Sequence, residues 1–200
     1  MSKNKERINA EVKCNNGEFW HTFTREHNHE WFLSKKVIIP MTARDTFATY
    51  ECGIGFYMDN SNVWFINIDS DEEIELQAIA MIINSTVFSV FAKSGANPQS
   101  GGYYKFNKQF LTPVPFPNAK LNKENASTQR LSKLHNEIVN IMEQYDATNE
   151  QNKIHYESIL ESKWKEVDEV CETMYELEED DIREIRKMGR TLNRITGSER

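Results

Sequence analysis

The chain has 200 residues, enough for one or two compact domains with a real core, and carries 24 Lys+Arg against 31 Asp+Glu, a net charge of -7. A hydrophobic content of 38% with 11% aromatics excludes a wholly disordered chain, and no apolar run reaches the ~18–20 residues of a bilayer span. The polar start, Met1-Ser2-Lys3-Asn4-Lys5-Glu6-Arg7, has no apolar stretch behind it and does not read as a signal peptide, so a soluble cytoplasmic protein without membrane contact is expected.

In chain order, residues 1–30 form a polar segment with an aromatic cluster at Phe19, Trp20 and Phe23. Lys35 to Pro40 is rich in β-branched residues and predicts a strand closed by proline. Turn residues occupy Gly53 to Asn62, and Val63 to Ile68 predicts a second strand. Asp69-Ser70-Asp71 offers a helix cap, and the pattern from Glu72 to Lys93 predicts one helix buried on most sides. Ser94 to Gly102 reads as a loop, Tyr103 to Phe106 as a short strand, and Phe110 to Pro117 as an edge or linker.

From about Asn125 the pattern becomes helical. Leu131, Leu134, Ile138, Ile141, Met142 and Tyr145 mark one face, and Leu160, Trp164, Val167, Cys171 and Met174 mark a heptad-like seam after a polar break at Asp146 to Asn152. These two helices are expected to fold back on each other as an antiparallel hairpin. A short basic helix bearing Ile182, Ile185, Met188 and Leu192 follows. The fold class is thus α+β: an N-terminal polar segment at 1–30, a small mixed α/β domain at 31–120, and a C-terminal helical hairpin with its terminal helix at 121–200. An exposed seam would drive self-association, and an internally packed one would not.

Charge is unevenly spread. Residues 1–120 carry 12 basic and 13 acidic side chains, and residues 121–200 carry 12 and 18. Lys93, Lys105, Lys108 and Lys120 lie in a stretch without a carboxylate, whereas Glu150 to Asp181 holds 12 acids and 3 bases. Phosphate attraction depends on the local face, so the global charge does not exclude nucleic acid.

No catalytic centre emerges. Glu26-His27-Asn28-His29-Glu30 with His21 has metal-ligand residue types but lacks the spacing that puts two imidazoles on one helix face; a metal-dependent nuclease is the weakest reading. Cys52-Gly53-Ile54-Gly55 is followed by a strand where a cofactor turn needs a helix, so it reads as a hairpin turn. Asn97-Pro98-Gln99-Ser100 departs from the Asn-Pro-Pro-aromatic motif of amino-methyltransferases. Cys14, Cys52 and Cys171 are odd in number and widely spaced, against both a disulfide framework and a zinc ribbon.

One set of residues, in order and spacing, resembles a known family. It comprises Lys36-Val37-Ile38-Ile39-Pro40, Arg44, Gly55-Phe56-Tyr57, Asp59 and Val63-Trp64-Phe65-Ile66, then Ile79 to Ser85, Gly101 to Leu111 and Val114-Pro115-Phe116-Pro117. The stretch is similar to the TaqI-like C-terminal specificity domain of adenine-specific restriction–modification methyltransferases. The segments Val167 to Val170 and Met174 to Ile182 are similar to the helical ending of those enzymes, giving a resemblance over about residues 31–185.

The resemblance implies sequence-specific recognition of double-stranded DNA beside a DNA methyltransferase catalytic domain or subunit. That domain binds S-adenosylmethionine and methylates a flipped adenine. No cofactor or metal is expected in this chain, which is read as a fragment, split subunit or expressed domain with no catalytic residue of its own. Arg44, Lys93, Gly101, Gly102, Tyr103, Lys105, Asn107, Lys108 and Gln109 are the candidate DNA-binding residues. The glycines permit close backbone approach, the cations neutralise phosphate, and the polar side chains suit backbone or base edges. The alternative is a helical protein–protein interaction module without DNA binding of its own, favoured by the acidic hairpin.

Overall fold

The computed structural model describes residues 33–53, 62–68 and 72–189. Its order is β1 (Lys36–Pro40), β2 (Thr42–Ala43), β3 (Thr49–Glu51), β4 (Val63–Ile66), α1 (Glu73–Ile83), α2 (Thr86–Gly95), β5 (Asn97–Pro98), β6 (Tyr104–Lys105), α3 (Lys108–Leu111), α4 (Ala126–Ala147), α5 (Glu150–Met174) and α6 (Glu179–Met188). These six helices and two small antiparallel sheets make the protein α+β with a C-terminal helical region.

The first sheet has the order β3-β1-β4, with β1 central. Val37 and Ile39 of β1 alternate into the core, as a half-buried strand requires. Lys36 is also fully buried: it faces Glu51 across the β1–β3 pair and meets it at 2.5 Å. A buried cation persists only with such a partner, and hydrophobic patterning gives no hint of it. Strands β3 and β4 lie on opposite sides of β1, so the turn at Gly53 does not close the expected hairpin between them; Gly53 adopts φ +88 where a Cβ would lie 2.8 Å from the Leu33 carbonyl, and its N–H donates to Glu51 Oε1. Its predicted companion Gly55 lies outside the described residues, as do the cap candidates Asp69 to Asp71.

The single helix expected over 72–93 is broken. Helices α1 and α2 meet at a bend of 64° around Asn84 and Ser85. The Ser85 hydroxyl accepts from Phe88 N–H as an N-cap and donates to the Ile82 carbonyl, so it starts a new helix. The Asn84 amide meanwhile binds both backbone groups of Ala48, at 2.7 and 2.8 Å. The residues flanking the bend stay apolar and buried, which is why the pattern alone reads as continuous. Among the described residues no single helix is long and apolar enough to cross a membrane.

Helix α4 starts where Asn125 accepts from Ser127 and Thr128 N–H groups. The break before α5 is only Thr148 and Asn149, and Asn149 caps α5 through Asn152 N–H. Ion pairs run antiparallel between α4 and α5: Arg130 with Glu166, and Glu137 with Lys163 at 2.6 Å. Leu131, Leu134 and Ile138 join Leu160, Trp164, Val167 and Cys171 in one apolar core with Val37, Leu76, Ile79 and Ile82. The helical seam is therefore packed internally, and the core is continuous across residue 120. Each fully buried large aliphatic side chain there contributes about 1.5–3 kcal/mol.

Polar groups sit within the α1–α4 contact. Gln77 accepts from the Ser132 hydroxyl at 2.6 Å and donates to Asn136 and Glu73. Helix α6 closes the far side, where Arg186 makes a two-pronged contact with buried Glu172. The Asp168 carboxylate of α5 accepts from both the N–H and the hydroxyl of Thr86, satisfying the N-terminus of α2.

Candidate nucleic-acid interface

The second sheet has the order β2-β6-β5; it carries Lys105, with Arg44 directly after β2, Lys108 opening α3 and Lys93 in the last turn of α2. Asn97 pairs with Lys105 and Pro98 with Tyr104, while Thr42 and Ala43 face the same two residues from the other side. The β5–β6 hairpin is closed by Gln99 N–H donating to the Tyr103 carbonyl at 2.7 Å. Within its tip Gly101 and Gly102 have φ +74 and +77, the left-handed region that favours glycine. A Cβ at Gly102 would meet nothing within 4 Å, so backbone conformation rather than crowding requires glycine there.

The predicted four-residue strand is confined to Tyr104–Lys105. Tyr103 stays outside it and is 42% exposed, with the Arg44 guanidinium 5.1 Å from its ring centre. Tyr104 is half-buried and stacks on Phe106, which is fully buried. Phe110 is half-buried. The Phe106 carbonyl accepts from the Trp64 indole at 3.1 Å and its N–H donates to Met41, tying the second sheet to the first.

Lys105 is exposed, as are Lys108 and Gln109 in the first turn of α3, and neither lysine has an ion pair with a described residue. Asn107 occupies the N-cap position without a side-chain cap bond, and its buried Oδ1 has no hydrogen-bond partner among the described residues. Lys93 differs from these lysines. It reaches from the last turn of α2 to pair with Asp45 and lies 5.5 Å from the Tyr104 ring centre.

In the segment between β2 and β3, of which the sequence marks Arg44 alone, the anchoring is done by other residues. Asp45 engages Lys93, Thr46 donates from its hydroxyl to the Ile83 carbonyl at 2.8 Å, and Ala48 is held by Asn84. Arg44 and Phe47 are left exposed. Nothing periodic announces this arrangement, because the anchoring partners lie on helices far along the chain.

Among the described residues no group of three or more His, Cys, Asp or Glu is placed to hold a metal ion. His21, His27 and His29 lie outside the described residues, and so does Cys14. Cys52 is exposed and Cys171 is buried, and neither is in a disulfide with a described residue.

The hairpin tip of glycines thus lies beside an arginine–tyrosine pair, with exposed lysines in β6 and α3, residue types that can meet phosphate. The model of the TaqI-like C-terminal specificity domain matches residues 4–116, more than half of the chain. The chain belongs to this family. The TaqI-like match takes in the whole second sheet and ends before α4, so the helical ending at 167–182 lies beyond it. It identifies the chain as a specificity domain of the restriction–modification methyltransferase kind. No curated protein matches the chain.

Proposed function

We propose that this specificity domain reads duplex DNA for an adenine-specific methyltransferase, through the β2-β6-β5 sheet and the turn into α3. The observation that carries this reading is the Arg44 guanidinium over the Tyr103 ring beside the glycine tip, with the exposed Lys105 and Lys108 following in β6 and α3. The two-stranded β5–β6 hairpin at the edge of this sheet is the kind of element that fits the major groove, where base edges carry a distinct pattern. Lys105, Lys108 and the tip amides set register on phosphates, while Arg44, Tyr103, Asn107 and Gln109 are positioned for base or backbone contacts. Lys93 supports the surface from beneath rather than meeting phosphate, since Asp45 and Tyr104 already hold its ammonium.

The chemistry belongs to the methyltransferase partner, which binds S-adenosylmethionine and takes the target adenine out of the stack. Engagement of the Gly53 amide by Glu51 supports assigning the cofactor to that partner rather than to this turn.

Fluorescence anisotropy of the full chain on mixed-sequence duplex DNA across a salt series tests the reading. Affinity is expected to fall steeply with salt, with a slope of about -0.9 per neutralised phosphate. The Lys105→Glu/Lys108→Glu variant should bind weakly and lose about 2 from the slope. Absence of binding at low salt by the folded chain would count against it.

A second reading, docking of the methyltransferase subunit by the helical region, is favoured by Ile154 near the end of the hairpin, 73% exposed. Co-elution with a separately expressed methyltransferase subunit, lost in Ile154→Glu, is its test.

A further inference from the structure

The chain leaves the second sheet at Ala43 and enters the first at Thr49, so residues 44–48 bridge the two. Strand β2 gives the start of this bridge little hold, since only Thr42 and Ala43 pair with β6. The bridge is anchored instead on the bend between α1 and α2 and on α2 itself. Asp45 engages Lys93 and the Ser89 hydroxyl, and Asn84 grips both backbone groups of Ala48. Between them Thr46, only 4% exposed, donates its hydroxyl to the Ile83 carbonyl at 2.8 Å. A helix leaves its last carbonyls without intrahelical partners, and the end of α1 offers one of them to Thr46. This hydroxyl is the buried anchor nearest in the chain to Arg44, whose guanidinium lies 5.1 Å from the centre of the Tyr103 ring.

We propose that Thr46 is a positioning residue for DNA recognition: its hydrogen bond to the end of α1 sets the bridge where Arg44 is held over Tyr103. This rests on the reading that the surface around Arg44 and Tyr103 meets duplex DNA. Thr46 is itself buried and acts through Arg44. A guanidinium makes directional, charge-assisted hydrogen bonds, so a small displacement of its backbone weakens them. Lys108 is carried by a different element, α3, and its flexible ammonium side chain tolerates such a displacement. The bridge therefore couples Thr46 to Arg44 and not to Lys108.

The test is a double-mutant cycle on the full chain, read by anisotropy on a duplex that the native chain enriches from a random-sequence pool. Arg44→Ala should weaken binding about tenfold, the worth of a charge-assisted contact. Thr46→Val keeps the shape, removes the hydroxyl and should weaken it about fivefold, while Thr46→Ser restores the hydroxyl and should bind as the native chain does. The Thr46→Val/Arg44→Ala variant should stay near the loss of Arg44→Ala alone, about tenfold rather than the ~fiftyfold of two independent losses. Thr46→Val combined with Lys108→Ala should instead show the product of its two losses. A general loss of folded protein would multiply with both partners, so the Lys108 arm separates it from positioning. Thr46→Ala, which leaves room for water at the Ile83 carbonyl, takes the place of Thr46→Val in the cycle if the valine variant does not fold. Losses that multiply with Arg44→Ala as they do with Lys108→Ala would overturn the role of Thr46 while leaving DNA reading intact, as would native affinity in Arg44→Ala. A folded native chain that enriches no duplex would overturn both.

Discussion

The carboxylate of Asp45 pairs with the ammonium of Lys93, and that ammonium also lies 5.5 Å from the centre of the Tyr104 ring. The pair links the segment before β3 to the end of α2, and both side chains are largely covered. A lysine held this way contributes little to phosphate attraction, because its field is cancelled at close range. Asp45→Asn removes the cancelling charge and should strengthen binding to mixed-sequence duplex DNA by about three- to tenfold at low salt, with one further phosphate contact in the salt slope. Lys93→Ala in contrast should leave the slope unchanged. Anisotropy titrations of both variants check the assignment, and a steep loss of slope in Lys93→Ala would reverse it.

Much of the frame could be read from the residues, and the reasons for the gaps are physical. Strands β1 and β4 and helices α4 and α5 are marked by runs or stripes several residues long, so local pattern and tertiary placement agree. The bend at Asn84 is different, since an amide binding Ala48 from 36 residues away leaves no periodic trace. Strands β2 and β5 have two residues each and exist through pairing with β6, which falls inside the short strand marked at Tyr103 to Phe106. At the candidate surface Arg44, Tyr103, Lys105 and Lys108 were legible from residue type and family resemblance. Thr46 was not, because what it binds is a carbonyl 37 residues further along the chain.

Asn84 should be among the most sensitive single positions for stability. Its side chain satisfies the N–H and the carbonyl of Ala48, and the residue itself is buried. Asn84→Ala leaves two backbone groups without partners in a closed environment, at about 1–3 kcal/mol for each unsatisfied group. A total loss of about 2–5 kcal/mol is expected in urea denaturation. Asn84→Asp keeps the acceptor for Ala48 N–H but not the donor for its carbonyl, so it should remain destabilised relative to the native chain.

His135 gives stability a pH dependence of known sign. It is buried in α4 with its ring edge-on to Tyr50, 5.7 Å between centres. Burial holds its pKa below the ordinary histidine value, against the opposing influence of the Asn136 side chain and the Glu73 carboxylate. The folded state therefore binds fewer protons than the unfolded chain, and stability falls as pH drops below about 6.5, at no more than ~1.4 kcal/mol per pH unit. The loss ends once the folded-state pKa is passed. His135→Gln should flatten this part of the curve. The Glu137 carboxylate, held low by its hydrogen bond with Lys163, acts in a separate, more acidic window below the ordinary glutamate pKa, where its contribution is lost on protonation.

The Glu172–Arg186 contact decides whether α6 stays docked. Two of the three guanidinium nitrogens, Nε and Nη2, donate to the carboxylate at 2.7 Å, Glu172 is buried, and Arg186 is about half exposed. Helix α6 otherwise offers one buried apolar residue, Ile185, and a close approach at Gly189, where a Cβ would lie 2.1 Å from Thr86 Cγ2. With so little apolar area, the two-pronged ion pair is a large share of what holds the helix. Arg186→Ala leaves the Glu172 carboxylate buried and alone, at about 1–3 kcal/mol when discounted for the exposed guanidinium. The loss is local, because the core under α4 and α5 is untouched. Amide hydrogen exchange should therefore speed up over Glu179–Met188 and remain slow in α4. Glu172→Gln should be milder, since it removes the charge and keeps an acceptor, whereas equal exchange in both helices of Arg186→Ala would mean that α6 unfolds only with the whole protein.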